Sequence, residues 1–130
     1  MIYKYALPLG IALLALPLLA AADASAEVST AAMHAGLVSE TDTVHIAQLH
    51  MQHILNCLAG PGNPGFDKTV PNPCKGLGNG AIPDTGDAAK RKILEDSAKK
   101  AAAALKKDDL AAIKQDAAEI SSALNNVKAR

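Results

Sequence analysis

The chain has 130 residues and a balanced charge, with 13 basic and 13 acidic side chains. Only two tyrosines and one phenylalanine are present, so a core must be built from Leu, Ile, Val, Met and Ala. This length predicts one domain, and the lack of a dense basic patch with stacking aromatic residues argues against nucleic acid as a partner.

The first 26 residues have the pattern of a cleaved signal peptide. Lys4 precedes the apolar run 6–22, and Ala24-Ser25-Ala26 is an A-x-A cleavage pattern, so the mature chain would begin at Glu27. A membrane anchor is the alternative, but the run contains two prolines and falls short of the roughly 20 residues that a spanning helix needs. We expect a periplasmic or secreted protein, without a stable membrane anchor after cleavage, whose residues 27–130 form a single helical domain.

Residues 29–58 have the periodicity of a helical region, and all four histidines lie in it. Apolar residues spaced three and four apart predict its core face: Leu37, Val44, Met51, Ile54, Leu55 and Leu58. Ser39-Glu40-Thr41-Asp42 has the pattern of a capping box, so a break near Ser39 is expected. Gly60-Pro61 ends the region.

Residues 59–86 contain five prolines and seven glycines, a density that predicts a loop without a helix or a long strand. A loop of this length in a small domain is usually functional or disordered. Phe66, Val70, Leu77 and Ile82 supply apolar contacts, and we therefore expect an ordered loop folded back on the helices.

The two cysteines, Cys57 and Cys74, lie at the end of the histidine-bearing region and inside this loop. Two cysteines in an exported chain most often form one disulfide. A Cys57–Cys74 bond would hold the Gly/Pro-rich loop to the helix and stabilise the fold by roughly 3 kcal/mol. The alternative is that one or both thiols bind metal.

Residues 87–130 predict an antiparallel hairpin of two helices. Each helix has an apolar stripe at helical spacing: Leu94, Ala98, Ala101 and Leu105 in the first, and Leu110, Ile113, Ala117, Ile120, Leu124 and Val127 in the second. Lys106-Lys107 favour the end of the first helix and Asp108-Asp109 the start of the next. The fold class is therefore all-α, a small bundle of three or four helices with a long disulfide-pinned loop.

The histidines His34, His45, His50 and His53 are the candidate metal ligands. His50 and His53 are three residues apart, and Cys57 follows His53 by four, spacings that place side chains on one helical face. Imidazole suits Zn, Cu and Ni, and the adjacent Met33 and Met51 would shift the preference toward Cu(I) if their sulfur took part. Solvated or core-edge histidines are the alternative.

Catalytic motifs are absent from the sequence, including G-x-S-x-G, H-E-x-x-H and the phosphate loop with Lys and Ser/Thr. We therefore expect a protein that is not an enzyme. Covalent haem attachment is argued against because C-x-x-C-H is missing. A haem held without covalent attachment by His and Met stays open as an alternative, although few aromatic residues are present to line its pocket.

An aromatic-poor, Ala/Lys-rich helical chain with an export signal and with histidines along a helix resembles the SmbP-like family of small periplasmic metal-binding helical bundles. The resemblance covers composition and helical hairpins over residues 30–130. It implies a periplasmic metal-binding bundle. The chain departs from the family in having few histidines, none in its C-terminal hairpin, and a loop that contains Cys74, which implies one site at most.

Two functional hypotheses follow. The first is an exported, non-catalytic protein that binds one transition-metal ion, Cu, Ni or Zn, through His50 and His53, with His45 or His34 as a third ligand. The second is a structural or protein-interaction module in which the disulfide-pinned loop is the contact surface.

Overall fold

The computed structural model describes residues 24–130, and these are all-helical with no strand. Most of the predicted signal peptide, residues 1–23, lies outside the described residues. None of the described helices combines the length and the apolar character that crossing a membrane requires. The helices, with one short 3₁₀ turn at Val38–Glu40, are α1 (Ser25–Leu37), α2 (Val44–Ala59), α3 (Ala81–Asp84), α4 (Ala88–Ala104) and α5 (Leu110–Lys128).

The break between α1 and α2 lies near the expected place, but the predicted capping box is wrong. Thr43 caps α2, because its backbone is extended and its Oγ1 accepts a hydrogen bond from the Ile46 N–H at 3.3 Å. Ser39 lies in the 3₁₀ turn, and its hydroxyl donates to the Gly36 carbonyl at 2.7 Å. A residue inside a helical turn cannot provide the extended conformation that a cap needs.

The core lies where α1 packs against α2 and α5, and where α4 packs against α2 and α5. Four of the six residues predicted for the core face of the first region are buried: Met51, Ile54, Leu55 and Leu58. Leu37 and Val44 are partly buried. The stripe of α5 is buried from its second member onward: Ile113, Ala117, Ile120, Leu124 and Val127.

The two C-terminal helices begin at aspartates. The Asp87 carboxylate accepts from the Lys90 N–H at 2.9 Å, and the Asp109 carboxylate accepts from the Ala111 and Ala112 N–H groups at 2.8 and 3.3 Å. These bonds satisfy backbone donors that lack partners inside the helix.

Two ion pairs join α5 to α4 and to the turn that follows α4, and they follow an antiparallel register. Lys107 pairs with Asp116 at 2.6 Å, and Lys100, one and a half to two turns earlier, pairs with the later Glu119. The Gln48 side chain of α2 donates to the carbonyls of Leu105 and Lys107, at 3.2 and 2.8 Å. The turn of the hairpin is therefore attached to α2.

The two ends of the segment between α2 and α3 lie side by side, because the backbones of Gly60 and Gly80 are in direct contact. Gly60 has φ +75° and Gly80 has φ +117°. A Cβ atom on Gly60 would lie 1.7 Å from the Asn79 oxygen, and one on Gly80 would lie 2.4 Å from the Ala59 oxygen. Only glycine fits at both positions, in conformation and in space.

The same segment is fixed to α2 by covalent and hydrogen bonds. A disulfide joins Cys57 to Cys74 with their Cα atoms 5.2 Å apart. The buried Gln52 amide donates to the Gly65 carbonyl at 2.9 Å. The buried Asn56 amide donates to the Asp67 carbonyl at 3.0 Å and accepts from the Asp67 N–H at 2.9 Å. Gln52 and Asn56 therefore supply hydrogen-bond partners that regular secondary structure would otherwise give to this backbone.

The prediction that residues 59–86 hold no helix is wrong for α3. Pro83 is in the first turn of α3, where a missing N–H removes no helical hydrogen bond. The bonds that form the turn run from Asp84 N–H to the Gly80 carbonyl and from Thr85 N–H to the Ala81 carbonyl, at 3.0 and 3.1 Å.

Glu27 is a buried carboxyl group between α1 and this returning segment, with 1 % of its surface exposed. Its Oε1 accepts from the Gly80 N–H at 2.7 Å, whereas its Oε2 is buried without a partner in the described residues. Burial raises the pKa of Glu27 to about 7; the bond from Gly80 opposes this, and the nearby Asp84 carboxylate adds to it. A protonated Glu27 can donate a hydrogen bond to the nearby Asp84 carboxylate.

Replacing Ile113 or Ile120 with Asp should unfold the domain, since either change buries an uncompensated charge and costs at least about 3 kcal/mol. Circular dichroism during heating measures the effect. Ala118→Asp, at an exposed position of the same helix, is the matched control and should leave the melting temperature nearly unchanged. Equal heat stability of Ile113→Asp and the parent would contradict the packing of α5.

Glu27→Gln should stabilise the protein at pH 8. The folded-state pKa is raised from 4.5 to about 7, so the parent loses stability as the pH rises through this interval, by up to about 3 kcal/mol. Gln keeps the acceptor for Gly80 and supplies a permanent donor for Asp84. Urea unfolding should show a gain at pH 8 that disappears at pH 4, and the exposed Glu40→Gln should show none. A gain of equal size at both pH values would exclude ionisation of Glu27 as its origin.

Candidate metal centre

Three histidines from two helices converge at the α1–α2 interface. His34 comes from α1, and His50 and His53 lie one turn apart on α2. The ring centroid of His34 lies 5.2 Å from that of His50 and 4.7 Å from that of His53. The ring centroids of His50 and His53 are 5.7 Å apart. One nitrogen from each ring can be chosen so that all three lie within 4.8 Å of one another. The group is therefore close enough to hold a metal ion.

Some ring nitrogens of the three histidines have no hydrogen-bond partner among the described residues. The Nδ1 atoms of His34 and His50 are 3.0 Å apart, so one of them carries the proton and the other accepts it. Both nitrogens of His53 are buried and have no hydrogen-bond partner among the described residues. Buried polar atoms without partners are rare in folded proteins and indicate an ion, a water molecule or a functional role.

The protein environment holds these imidazoles in the neutral state. Burial, together with the charges that His53 and His50 would carry, lowers the pKa of His34 to about 4. Burial also lowers the pKa of His50, and burial followed by the charge of His50 lowers that of His53. Neutral imidazole is the form that binds a metal ion, so the three histidines would need no deprotonation at neutral pH in order to bind one.

The spacing of the nitrogens fits a metal ion after small side-chain movements. With metal–nitrogen bonds of about 2.0 Å, the ligand atoms of a tetrahedral or trigonal site lie roughly 3.3–3.5 Å apart. The 3.0 Å separation of His34 and His50 is slightly shorter than this, and the 4.8 Å limit of the group is longer. A metal ion at this place would require the ligand atoms to move by about 1 Å or less.

The remaining candidate ligands do not join this group. His45 is exposed and lies outside it. Cys57 and Cys74 are bonded to each other, so neither offers a thiol. Met51 is fully buried in the core and Met33 is exposed. Of the two alternatives that the sequence left for the third ligand, the fold brings His34 to His50 and His53.

Sequence reasoning missed the polar residues that support the region around the site. The sequence pattern assigned no role to Gln52 or Asn56, and it placed Glu27 only as the expected first residue of the mature chain. Gln52 donates a hydrogen bond to Asn56 at 3.0 Å. The one sequence signal for this pair is the spacing of four residues between them, which puts both on one face of α2.

No family model matches the chain, and no match was found among curated proteins or solved structures. The resemblance to SmbP-like proteins therefore stays a prediction, and the geometry of the three histidines carries the functional argument.

In a Glu27→Gln background, stability should fall as the pH drops from 6.5 to 4. The pKa of His34 is lowered from 6.5 to about 4 in the folded state, so its contribution is complete above 6.5 and is lost across this interval, by up to about 3 kcal/mol. Urea unfolding at stepped pH tests this, and adding His34→Asn should flatten the curve. An imidazole NMR titration that placed the pKa of His34 near 6.5 would contradict the prediction.

Proposed function

We propose that the chain is an exported, non-catalytic protein that binds one transition-metal ion, Cu, Ni or Zn, through His34, His50 and His53. The observation that carries the proposal is that the imidazoles of His34, His50 and His53 converge while both nitrogens of His53 lack a hydrogen-bond partner among the described residues. These are the ligand type and the protonation state that such ions need.

Packing alone gives a poorer account of the group. A buried nitrogen without a partner costs about 1–3 kcal/mol, and an apolar side chain at position 53 would avoid this cost. The nearby His34–His50 bond uses one nitrogen from each ring and leaves His53 without a partner. Coordination of a metal ion would satisfy one nitrogen of His53 and bring it into the same bonded unit as the other two residues.

Metal binding would also join two helices that are otherwise connected only by non-covalent contacts and the short chain between them. His34 belongs to α1, whereas His50 and His53 belong to α2. An ion that binds only the folded arrangement stabilises it in proportion to the logarithm of its concentration over the dissociation constant. A bound ion would therefore also hold α1 against α2.

Export is supported by the sequence pattern of residues 1–26 and by the disulfide. Disulfides persist in oxidising compartments such as the periplasm and the cell exterior. Together with Gln52 and Asn56, we infer that the Cys57–Cys74 bond pins the Gly/Pro-rich loop against the end of α2. His53 lies one turn before Cys57, so the pinned loop also limits movement at this end of the site.

Calorimetric titration of the parent with Cu²⁺, Ni²⁺ or Zn²⁺ at pH 7.5 should show one equivalent bound per chain for at least one of the ions. His50→Ala combined with His53→Ala should abolish binding, and His34→Ala should weaken it by at least about tenfold, because one of three ligands is lost. The exposed His45→Ala is the matched control and should bind like the parent. If the double variant binds as tightly as the parent, the metal-site proposal is wrong.

A further inference from the structure

The three-histidine group contains no anionic ligand. Its members are all imidazoles, and no aspartate, glutamate or thiolate of residues 24–130 belongs to it. The ion pairs of this part of the chain join lysines to carboxylates on α4 and α5, and none involves a histidine. Glu27, the buried acid of α1, lies two turns from His34 and is hydrogen-bonded to Gly80. No anionic ligand within the group would therefore offset the charge of a bound cation.

This lack of an anionic ligand matters because part of the site is removed from water. His34 is 8 % exposed and both nitrogens of His53 are buried, whereas His50 is half-buried. The electrostatic cost of transferring an ion from water into such a place grows with the square of its charge, so a divalent ion pays about four times the penalty of a monovalent ion of similar size. Carboxylates near a metal site normally reduce this penalty, and no carboxylate of residues 24–130 belongs to the three-histidine group.

The number of ligands points in the same direction. Zinc is almost always four-coordinate, so a three-histidine zinc site must also hold a water molecule or another ligand. Copper(I) is satisfied by two or three ligands, and three imidazoles supply a complete set. A trigonal arrangement needs nitrogens about 3.5 Å apart, which lies between the observed 3.0 Å and the 4.8 Å limit.

We propose that His34, His50 and His53 form a site selective for a monovalent soft cation, copper(I), over divalent zinc. This inference rests on the proposed metal-binding function and adds the charge and class of the ion. The selectivity comes from the ligand set: three imidazole donors, buried nitrogens on His53 and no carboxylate within the group.

The test adds one charge beside the site without changing its ligands. Thr30 lies four residues before His34 on the same side of α1 and is partly exposed, so its side chain can be exchanged without opening the core. Thr30→Glu introduces a carboxylate there, and Thr30→Gln is its neutral match. The copper(I) affinity is measured without oxygen against a chromophoric copper(I) chelator, and the zinc affinity against a zinc chelator.

The parent should bind copper(I) more tightly than zinc by at least about tenfold, a difference of roughly 1.4 kcal/mol. Thr30→Glu should shift the ratio of the two affinities toward zinc by about threefold or more relative to Thr30→Gln, since an added anion favours the divalent ion. A second pair, His34→Asp and His34→Asn, places the same difference of charge on a ligand and should shift the ratio in the same direction. Circular dichroism of each variant confirms that it is folded.

The outcomes separate the two proposals. Zinc binding as tight as copper(I) binding in the parent, or equal affinity ratios in both matched pairs, overturns the selectivity while the metal site stands. Failure of the folded parent to bind copper(I), zinc, Cu²⁺ or Ni²⁺ overturns the metal site itself, and the selectivity with it.

Discussion

Close packing of α1 against α2 is the constraint on which the rest of the structure depends. Three of the buried residues of α1 and α2 are alanines, Ala31, Ala35 and Ala47. Small side chains let packed helix backbones approach closely. Across the packing of α1 on α2, the Nδ1 atoms of His34 and His50 lie 3.0 Å apart. The same helix presents Glu27 to the returning segment at its other end.

The parts of the fold that depend on local sequence could be predicted. The α5 stripe, the end of α2 at Gly60 and the aspartate at the start of α5 follow from spacing and from the chemistry of single residues. The pairing of His34 with His50 and His53 could not be chosen over His45, because it depends on how α1 lies across α2. The burial of Glu27 was missed for the same reason: it needs Gly80, which lies 53 residues away along the chain.

Glu27 and His34 of α1 have pKa values that are shifted in opposite directions, upward for Glu27 and downward for His34. Burial favours the neutral form of each, so the folded protein holds a proton on Glu27 at pH values where an unfolded chain would hold it on His34. Between pH 4.5 and 6.5 the folded and unfolded states therefore bind nearly the same number of protons through this pair. The contributions of these two groups to the pH dependence of stability therefore largely cancel in this interval, although each group alone would make stability change steeply.

The disulfide closes a ring of peptide chain, and this has a consequence for how the protein is degraded. Residues 61–65, within the ring, are all exposed, which is the kind of segment that proteases cut first. A single cut between Cys57 and Cys74 leaves the two fragments covalently joined. The effective concentration of one fragment around the other stays high, so the helices on either side remain associated. A nicked chain of this kind loses its continuity without losing its assembly, and complete breakdown requires reduction as well as cleavage.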